Sequence, residues 1–159
     1  MKKLCREIKL RDIKADFWIQ IRACDFVEEV LAPLIEVGLK RVFIGIESIS
    51  QNVLDRYNKK VNKDDNLKAV ALAEKLGLQK EIGFLMFEPD IAIDELREQY
   101  EWISHYKFSE PVHYYSYVLP YSGTPLRANL LEQRRLKTRC WHDIGVYQFK
   151  DPRVEVIFN

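Results

Sequence analysis

Two charged side chains stand near the ends of two apolar runs, where parallel strands usually place ligand sites. The run Phe17–Arg22 ends on Arg22, and the run Arg41–Ser48 carries Glu47 near its end. Side chains alternate between the faces of a strand, so both charges fall on the face opposite the most apolar one. A carboxylate removed from water is costly unless it is paired, which makes a nearby guanidinium a suitable partner.

The spacing of this pair leaves two interpretations open. Arg22 and Glu47 can form a plain internal ion pair that braces neighbouring strands. They can also form part of a ligand site, because open α/β sheets and barrels bind ligands at the carboxyl ends of their strands.

Strand-like and helix-like segments alternate along the chain around these residues. Strands are expected at Phe17–Arg22, Arg41–Ser48, Ile82–Phe87 and His113–Leu119. Helices are expected from Val27 to about Val37, from Asp64 up to Gly77, from about Asp94 to Tyr106, and after the capping pair Thr124 and Pro125. This alternation predicts βα units and a parallel sheet. The predicted fold is therefore α/β, half of a TIM-type βα barrel with four parallel strands in sequential order and helices on one face.

Two prolines and the chain length refine this expectation. Pro33 lies inside the first helical segment and predicts a kink or two short helices there. Asp151 and Pro152 favour a final helix over a strand from Val154 to Phe158. With 159 residues, one compact unit is expected, comprising a partial barrel over residues 1–135 and an extension over 136–159.

Composition argues against several classes of partner. The 25 basic and 24 acidic side chains nearly balance, so bulk charge favours neither nucleic acid nor an anionic membrane. No apolar run reaches the roughly 20 residues of a membrane span, and the first residues lack the apolar stretch of a signal peptide. A cytoplasmic location is the expectation.

The cysteines and histidines show no metal-binding spacing. Cys5, Cys24 and Cys140 are far apart in the sequence, which fits neither a disulfide framework nor a closely spaced ligand set. The three histidines are equally scattered. We expect reduced thiols and no metal ligands.

Three segments resemble the radical S-adenosylmethionine (SAM) superfamily, specifically its members with an upstream cobalamin-binding domain. The first is VFIGIESISQNVLDRYNK at residues 42–59, which resembles the family's fourth barrel strand and the residues after it. The second is GFLMFEP at residues 83–89, and the third is LPYSGTPL at residues 119–126. The preceding QIRA, at residues 20–23, fits the third barrel strand.

The resemblance implies a site and a chemistry. Family enzymes hold a 4Fe-4S cluster through a CxxxCxxC loop and cleave SAM to a 5′-deoxyadenosyl radical. Glu47 resembles the residue that meets the SAM ribose or amino group, Arg22 the residue beside it, and Ser48 a weaker candidate behind them. Atoms near Met86 and Leu119–Tyr121 resemble the wall that receives the adenine. Cobalamin is possible in the complete form.

The sequence departs from the family in having no CxxxCxxC motif. We therefore expect a chain that starts at the third barrel strand, whose cluster ligands come from a preceding segment, and that is inactive alone. The alternatives are a non-catalytic half-barrel that binds a nucleotide-like ligand or a partner chain, and a purely structural α/β module. The first strand, which carries Trp18, is expected to have an open edge that pairs with the missing barrel segment or causes self-association.

Overall fold

The computed structural model describes residues 2–106, 109–137 and 146–159. These residues form two compact units, one ending at Phe84 and the other running from Leu85 to Asn159. Cys140 and His142, one of the three histidines, lie outside the described residues. The predicted boundary at residue 135 stays a prediction.

The first unit is built on a three-stranded parallel sheet. Its strands are β1 (Phe17–Arg22), β2 (Leu39–Glu47) and β3 (Gln79–Phe84), in the order β1-β2-β3. This confirms the predicted α/β class and the parallel, sequential arrangement. β1 has the predicted bounds, whereas β3 begins three residues before the predicted Ile82 and ends at Phe84.

Four helices accompany this sheet: α1 (Lys2–Leu10), α2 (Glu28–Glu36), α3 (Gln51–Arg56) and α4 (Lys63–Lys75). α2 and α4 were predicted, whereas α1 and α3 were not. α2 is one helix that contains Pro33 rather than two short helices. A proline at this position costs the helix the hydrogen bond to the Glu29 carbonyl, and the rest of the short helix stays intact.

The two faces of β2 differ as the alternation predicts. Val42, Ile44 and Ile46 are almost completely buried, and both α2 and α4 contact this strand. Phe43, Gly45 and Glu47, on the opposite face, are only partly buried. The helices therefore cover one face of the sheet and leave the other accessible.

The second unit is mainly helical. It contains α5 (Ile93–His105), α6 (Pro111–Tyr115), α7 (Pro125–Glu132) and α8 (Pro152–Phe158), with a short antiparallel pair formed by β4 (Leu136–Lys137) and β5 (Val146–Tyr147). The predicted cap of α7 is present, since the Thr124 side chain accepts from the Arg127 amide. The predicted final helix is present as α8, with Asp151 as its cap.

The predicted fourth strand, His113–Leu119, is wrong. Its first residues belong to α6, which Pro111 starts and in which the Glu110 amide donates to His113 Nδ1 at 2.9 Å. Only Tyr117 keeps a strand-like contact, an isolated parallel bridge to Phe87. The aromatic run indicated a strand, but a proline at the first helical position and a local capping interaction favour a helical turn.

Candidate functional site

The candidate site lies at the carboxyl end of β2, on the partly open face of the sheet. The register pairs Arg22, the last residue of β1, with Gly45, and pairs Gly45 in turn with Gly83 of β3. Two neighbouring strands thus present glycines at the same level. A Cβ atom on Gly83 would lie 2.8 Å from the Phe43 ring, so this ring fills the space that the missing side chain leaves.

An ion pair lies over Gly45. The Glu47 carboxylate accepts from the Lys59 ammonium at 2.8 Å, and the two side chains are 23% and 27% exposed. A Cβ atom on Gly45 would lie 3.1 Å from Glu47 Oε1 and 3.6 Å from Lys59 Nζ. The glycine therefore gives the pair room to lie close to the sheet.

The backbone at Glu47 is strained. Its φ is +63°, and the Ser48 amide donates to the Ile46 carbonyl at 2.8 Å, which makes Glu47 the central residue of a γ-turn with positive φ. This kind of γ-turn is rare, and a non-glycine residue there costs about 1–3 kcal/mol. The strand pairing with β3 shifts register at the same point, between Gly45 and Glu47. Strain of this kind clusters at functional sites.

A buried amide holds this turn. Asn66 of α4 donates through Nδ2 to the carbonyl oxygens of Ile46 at 2.9 Å and Ser48 at 2.8 Å, the residues on either side of Glu47. α4 is fixed at its start because the Asn62 side chain accepts from the Asp65 amide and the Asp65 side chain accepts from the Asn62 amide. The cap of α4 therefore positions Asn66, and Asn66 in turn supports the direction of Glu47.

Ser48 has a local structural role. It is buried, and its Oγ accepts from the Ser50 amide at 3.0 Å, next to the start of α3. Whether Ser48 contributes to a ligand site stays a prediction.

Arg22 and Glu47 lie at the carboxyl ends of neighbouring strands and do not form a direct ion pair with each other. A water-bridged contact between them stays a prediction. Arg22 Nε donates to Asp25 at 2.9 Å, and this hydrogen bond raises the pKa of Arg22. Glu47 pairs with Lys59 instead. The reason is local, since Asp25 lies one short helical turn after Arg22, whereas Lys59 is brought back to Glu47 by the chain that follows α3.

Lys59 is the residue that sequence reasoning missed. It lies between Asn58 and Lys60, both at φ +52°, so two left-handed residues flank it. A tyrosine-asparagine-lysine-lysine stretch just after a short helix is a turn signal, because asparagine tolerates the left-handed region well. That signal could have indicated a tight return toward the strand end.

The remaining sequence candidates do not gather into a metal site. Cys5 is buried and Cys24 is partly exposed, and both are free thiols. Over residues 2–106, 109–137 and 146–159, no three histidine, cysteine, aspartate or glutamate side chains come close enough to hold a metal ion. Two residues of the expected adenine wall belong to the second unit, where Met86 is buried and Tyr121 is exposed.

The outer edge of the sheet is free in the part of the chain that the structure describes. β1 is the first strand in the order and pairs only with β2 there. Trp18 is 58% exposed, and a cavity of about 630 Å³ is lined by residues from both faces of β1, including Ile19, Gln20 and Ile21.

None of the described helices is long and apolar enough to span a membrane.

Residues 1–103 match the model of the radical SAM superfamily, which is more than half of the chain. The chain belongs to this superfamily. The matched range includes all three strands of the parallel sheet and the Glu47 turn.

Individual relatives agree with this membership. The chain is 37% identical over 67 residues to 4′-phospho-dehydrooxetanocin synthase from Priestia megaterium, covering 42% of this chain and 9% of that protein. It is 28% identical over 136 residues to an uncharacterized methyltransferase from Pyrococcus horikoshii, covering 84% of this chain and 29% of that protein. The cobalamin-dependent SAM radical enzyme OxsB, solved with aqua-cobalamin, superposes with a TM-score of 0.71 at 21% identity, covering 94% of this chain and 29% of OxsB. The chain thus spans less than a third of each of these proteins.

Membership implies SAM and a 4Fe-4S cluster, and the described residues fit the two groups differently. The partly exposed Glu47 carboxylate at the end of β2 offers acceptors for hydroxyl or ammonium donors, which SAM carries. A cluster needs several closely placed thiolates. No such group of thiolates occurs among the described residues, so these residues do not fit a 4Fe-4S cluster.

Proposed function

We propose that this chain forms the part of a radical SAM enzyme that holds the nucleoside and amino-acid end of SAM. The observation that carries the proposal is the Glu47 carboxylate, held in a strained turn over Gly45 at the carboxyl end of β2. Bound SAM supplies a source of radical chemistry in this superfamily. The cluster ligands would come from outside the described residues.

The residues of this chain act by binding and orienting. The Glu47 carboxylate accepts hydrogen bonds from donors on the ligand, and Lys59 balances its charge when the ligand is absent. Gly45 leaves room for the Glu47–Lys59 pair close to the sheet, and Gly83 leaves room for the Phe43 ring beside it. Asn66 keeps the turn in place through its two carbonyl contacts. Arg22, at the end of the neighbouring strand, supplies a cation at the same edge.

Titration calorimetry of the chain with SAM tests the proposal, comparing the unaltered protein with Glu47→Gln. We expect weak binding, because each net hydrogen bond contributes only about 0.5–1.5 kcal/mol, and a roughly tenfold loss in the variant. Glu81→Gln is the matched control, since Glu81 lies on β3 and pairs with Arg41 in an exposed contact at 3.4 Å. Equal affinities for Glu47→Gln and the unaltered chain would remove Glu47 from the site.

Pairing along the free edge of β1 is a second proposal, favoured by the cavity that runs beside this strand. A preceding barrel segment or a second copy would add a strand there, because an edge strand presents unpaired amides and carbonyls. Analytical ultracentrifugation of the chain and of Ile21→Pro tests self-association. A chain that stays monomeric at all concentrations would exclude a second copy as the partner of β1. A peptide with the sequence of the preceding barrel segment should then protect the backbone amides of β1.

Cobalamin and a cytoplasmic location are further parts of this proposal. OxsB is described as cobalamin-dependent, and we infer that the complete form of this protein is a candidate for the same cofactor. The location expected from the sequence remains a prediction.

A further inference from the structure

A second cavity, of about 690 Å³, is lined only by residues of the second unit. Its walls come from α5, α6, α8 and the bridge between Phe87 and Tyr117. Aromatic side chains dominate its lining: Phe87, Tyr100, Tyr114, Tyr115, Tyr117 and Phe158. The volume falls within the range of about 300–1,000 Å³ that is typical of small-molecule sites.

The lining divides into a buried floor and an accessible wall. Met86, Phe87 and Leu96 are buried, whereas Tyr100 is 55% exposed and Tyr115 62% exposed. Single exposed aromatics are ordinary on a protein surface, but a group of them around one concavity indicates an interaction site. Tyrosines also combine flat apolar rings with hydroxyl groups, which suits contact with a flat and partly polar ligand.

The contacts between the aromatic rings support a ligand site at this wall. Tyr100 and Tyr114 meet edge to face with centroids 6.0 Å apart, and Phe158 meets Phe87 at 5.1 Å and Tyr117 at 5.4 Å in the same manner. Aromatic rings prefer edge-to-face and offset contacts with one another. A ligand ring in this cavity can therefore make contacts of the same kind with the rings that line it.

The charge in the lining of the cavity indicates which class of ligand it binds. Among the described residues that line the cavity, Arg97 is the one charged side chain. Its contact with Asp94 is 3.5 Å long, and the two side chains are 65% and 83% exposed. Exposed pairs of this kind are worth little, so the guanidinium can turn to a stronger partner at low cost. A guanidinium favours carboxylate, sulfonate or phosphate groups.

We propose that this cavity binds a flat aromatic ligand that carries an anionic group, with the rings against the tyrosine wall and the anion at Arg97. This proposal rests on residues of the second unit, whereas the proposal for SAM rests on Glu47 of the first unit. A failure of SAM binding therefore leaves this proposal standing, and the reverse also holds.

The test uses the full chain and two fluorescent probes, anilinonaphthalene sulfonate and its uncharged counterpart phenylnaphthylamine. We expect saturable binding at one site per chain, tighter for the sulfonate. Tyr115→Ala weakens both probes about fivefold, the size of effect that an aromatic contact has. Arg97→Gln weakens the sulfonate roughly threefold and leaves the neutral probe unchanged, as expected for a partly exposed ion pair.

Val156→Ser is the matched control, because Val156 lies on α8, is highly exposed and does not line the cavity. It should bind both probes as the unaltered chain does. Absence of saturable binding, or equal weakening in Val156→Ser and Tyr115→Ala, would overturn the proposal. Probe binding that disappears as the chain dimerises with concentration would also overturn it, since a second copy would then be the occupant.

Discussion

The Lys59 ammonium lies 2.8 Å from the Glu47 carboxylate, and left-handed backbone occurs on both sides of this contact. Glu47 itself has a positive φ, and so do Asn58 and Lys60, the neighbours of Lys59. A partly exposed ion pair contributes too little to offset such strain on its own. The arrangement is therefore better explained by a requirement to present the carboxylate at one place and in one direction.

Glu47→Gly separates strain from binding. Glycine adopts positive φ without steric cost, so the variant should gain about 1–3 kcal/mol from the turn. It should lose a comparable amount, about 0.5–1 kcal/mol from the greater freedom of the unfolded chain and at most about 1 kcal/mol from the missing ion pair. Urea unfolding should therefore show a stability close to that of the unaltered chain, while calorimetry shows SAM affinity lost. A large loss of stability would mean that the ion pair serves as a brace.

Asn66→Leu tests whether the buried amide supports the turn. The buried carbonyls of Ile46 and Ser48 would both lose the Asn66 donor, and that of Ile46 would keep the Ser48 amide, which we expect to cost about 1–3 kcal/mol. Gly77→Ala is the control, because Gly77 has a φ of +64° just after the other end of the same helix, where alanine costs about 1–2 kcal/mol without touching the turn. Loss of SAM affinity beyond the loss of stability should occur in Asn66→Leu only. Equal affinities in the two variants would contradict a positioning role.

Two glycine substitutions on neighbouring strands should have different effects. Gly83→Ala places a Cβ atom 2.8 Å from the Phe43 ring, and we expect overpacking to cost about 1–3 kcal/mol in urea unfolding. Gly45→Ala meets only the ends of flexible side chains, Glu47 Oε1 and Lys59 Nζ. It should therefore change stability little and weaken SAM binding. Reversed effects would show that the pair does not lie over Gly45.

Acid should remove the contribution of Asp151 to stability. The pKa of this carboxyl is held well below its usual range by hydrogen bonds. The first of these comes from the Arg153 side chain, and others come from the Arg153 and Ile93 amides. A carboxyl with a lowered folded pKa stabilises the fold above its unfolded pKa of about 4, and that contribution declines as the pH falls below this value. The difference in stability between the unaltered chain and Asp151→Asn should thus be clear at neutral pH and shrink in acid. A difference that is constant from neutral pH down to strong acid would contradict the role of the charge.

Iron and sulfide should not assemble a cluster on this chain alone. The sequence holds three cysteines, and those that the structure describes, Cys5 and Cys24, lie in no group that could hold a metal ion. Anaerobic reconstitution followed by visible spectroscopy should give a colourless protein, and dithionite with SAM should release no 5′-deoxyadenosine. A brown protein that releases this product would show that ligands exist within the chain.

The sequence by itself determined the elements whose signals are local. Strand β1 and the accessible face of β2 follow from alternation of apolar residues, and the start of α7 follows from Thr124 and Pro125. The motif around Glu47 was sufficient to indicate the superfamily, because it combines an apolar strand with a polar end and a long matching continuation. Such features depend on neighbours in the chain, so they can be predicted from it.

Only the tertiary structure decided the partners of the charged side chains. Arg22 pairs with the nearby Asp25, and Glu47 pairs with Lys59, which a turn after α3 brings back to the strand end. The turn at Glu47 likewise depends on Asn66, which comes from a different helix. The energies that separate one ion pair from another are small and depend on distance and burial. The distance and burial of each ion pair are set by how the elements pack, so they cannot be predicted from the spacing of residues in the sequence.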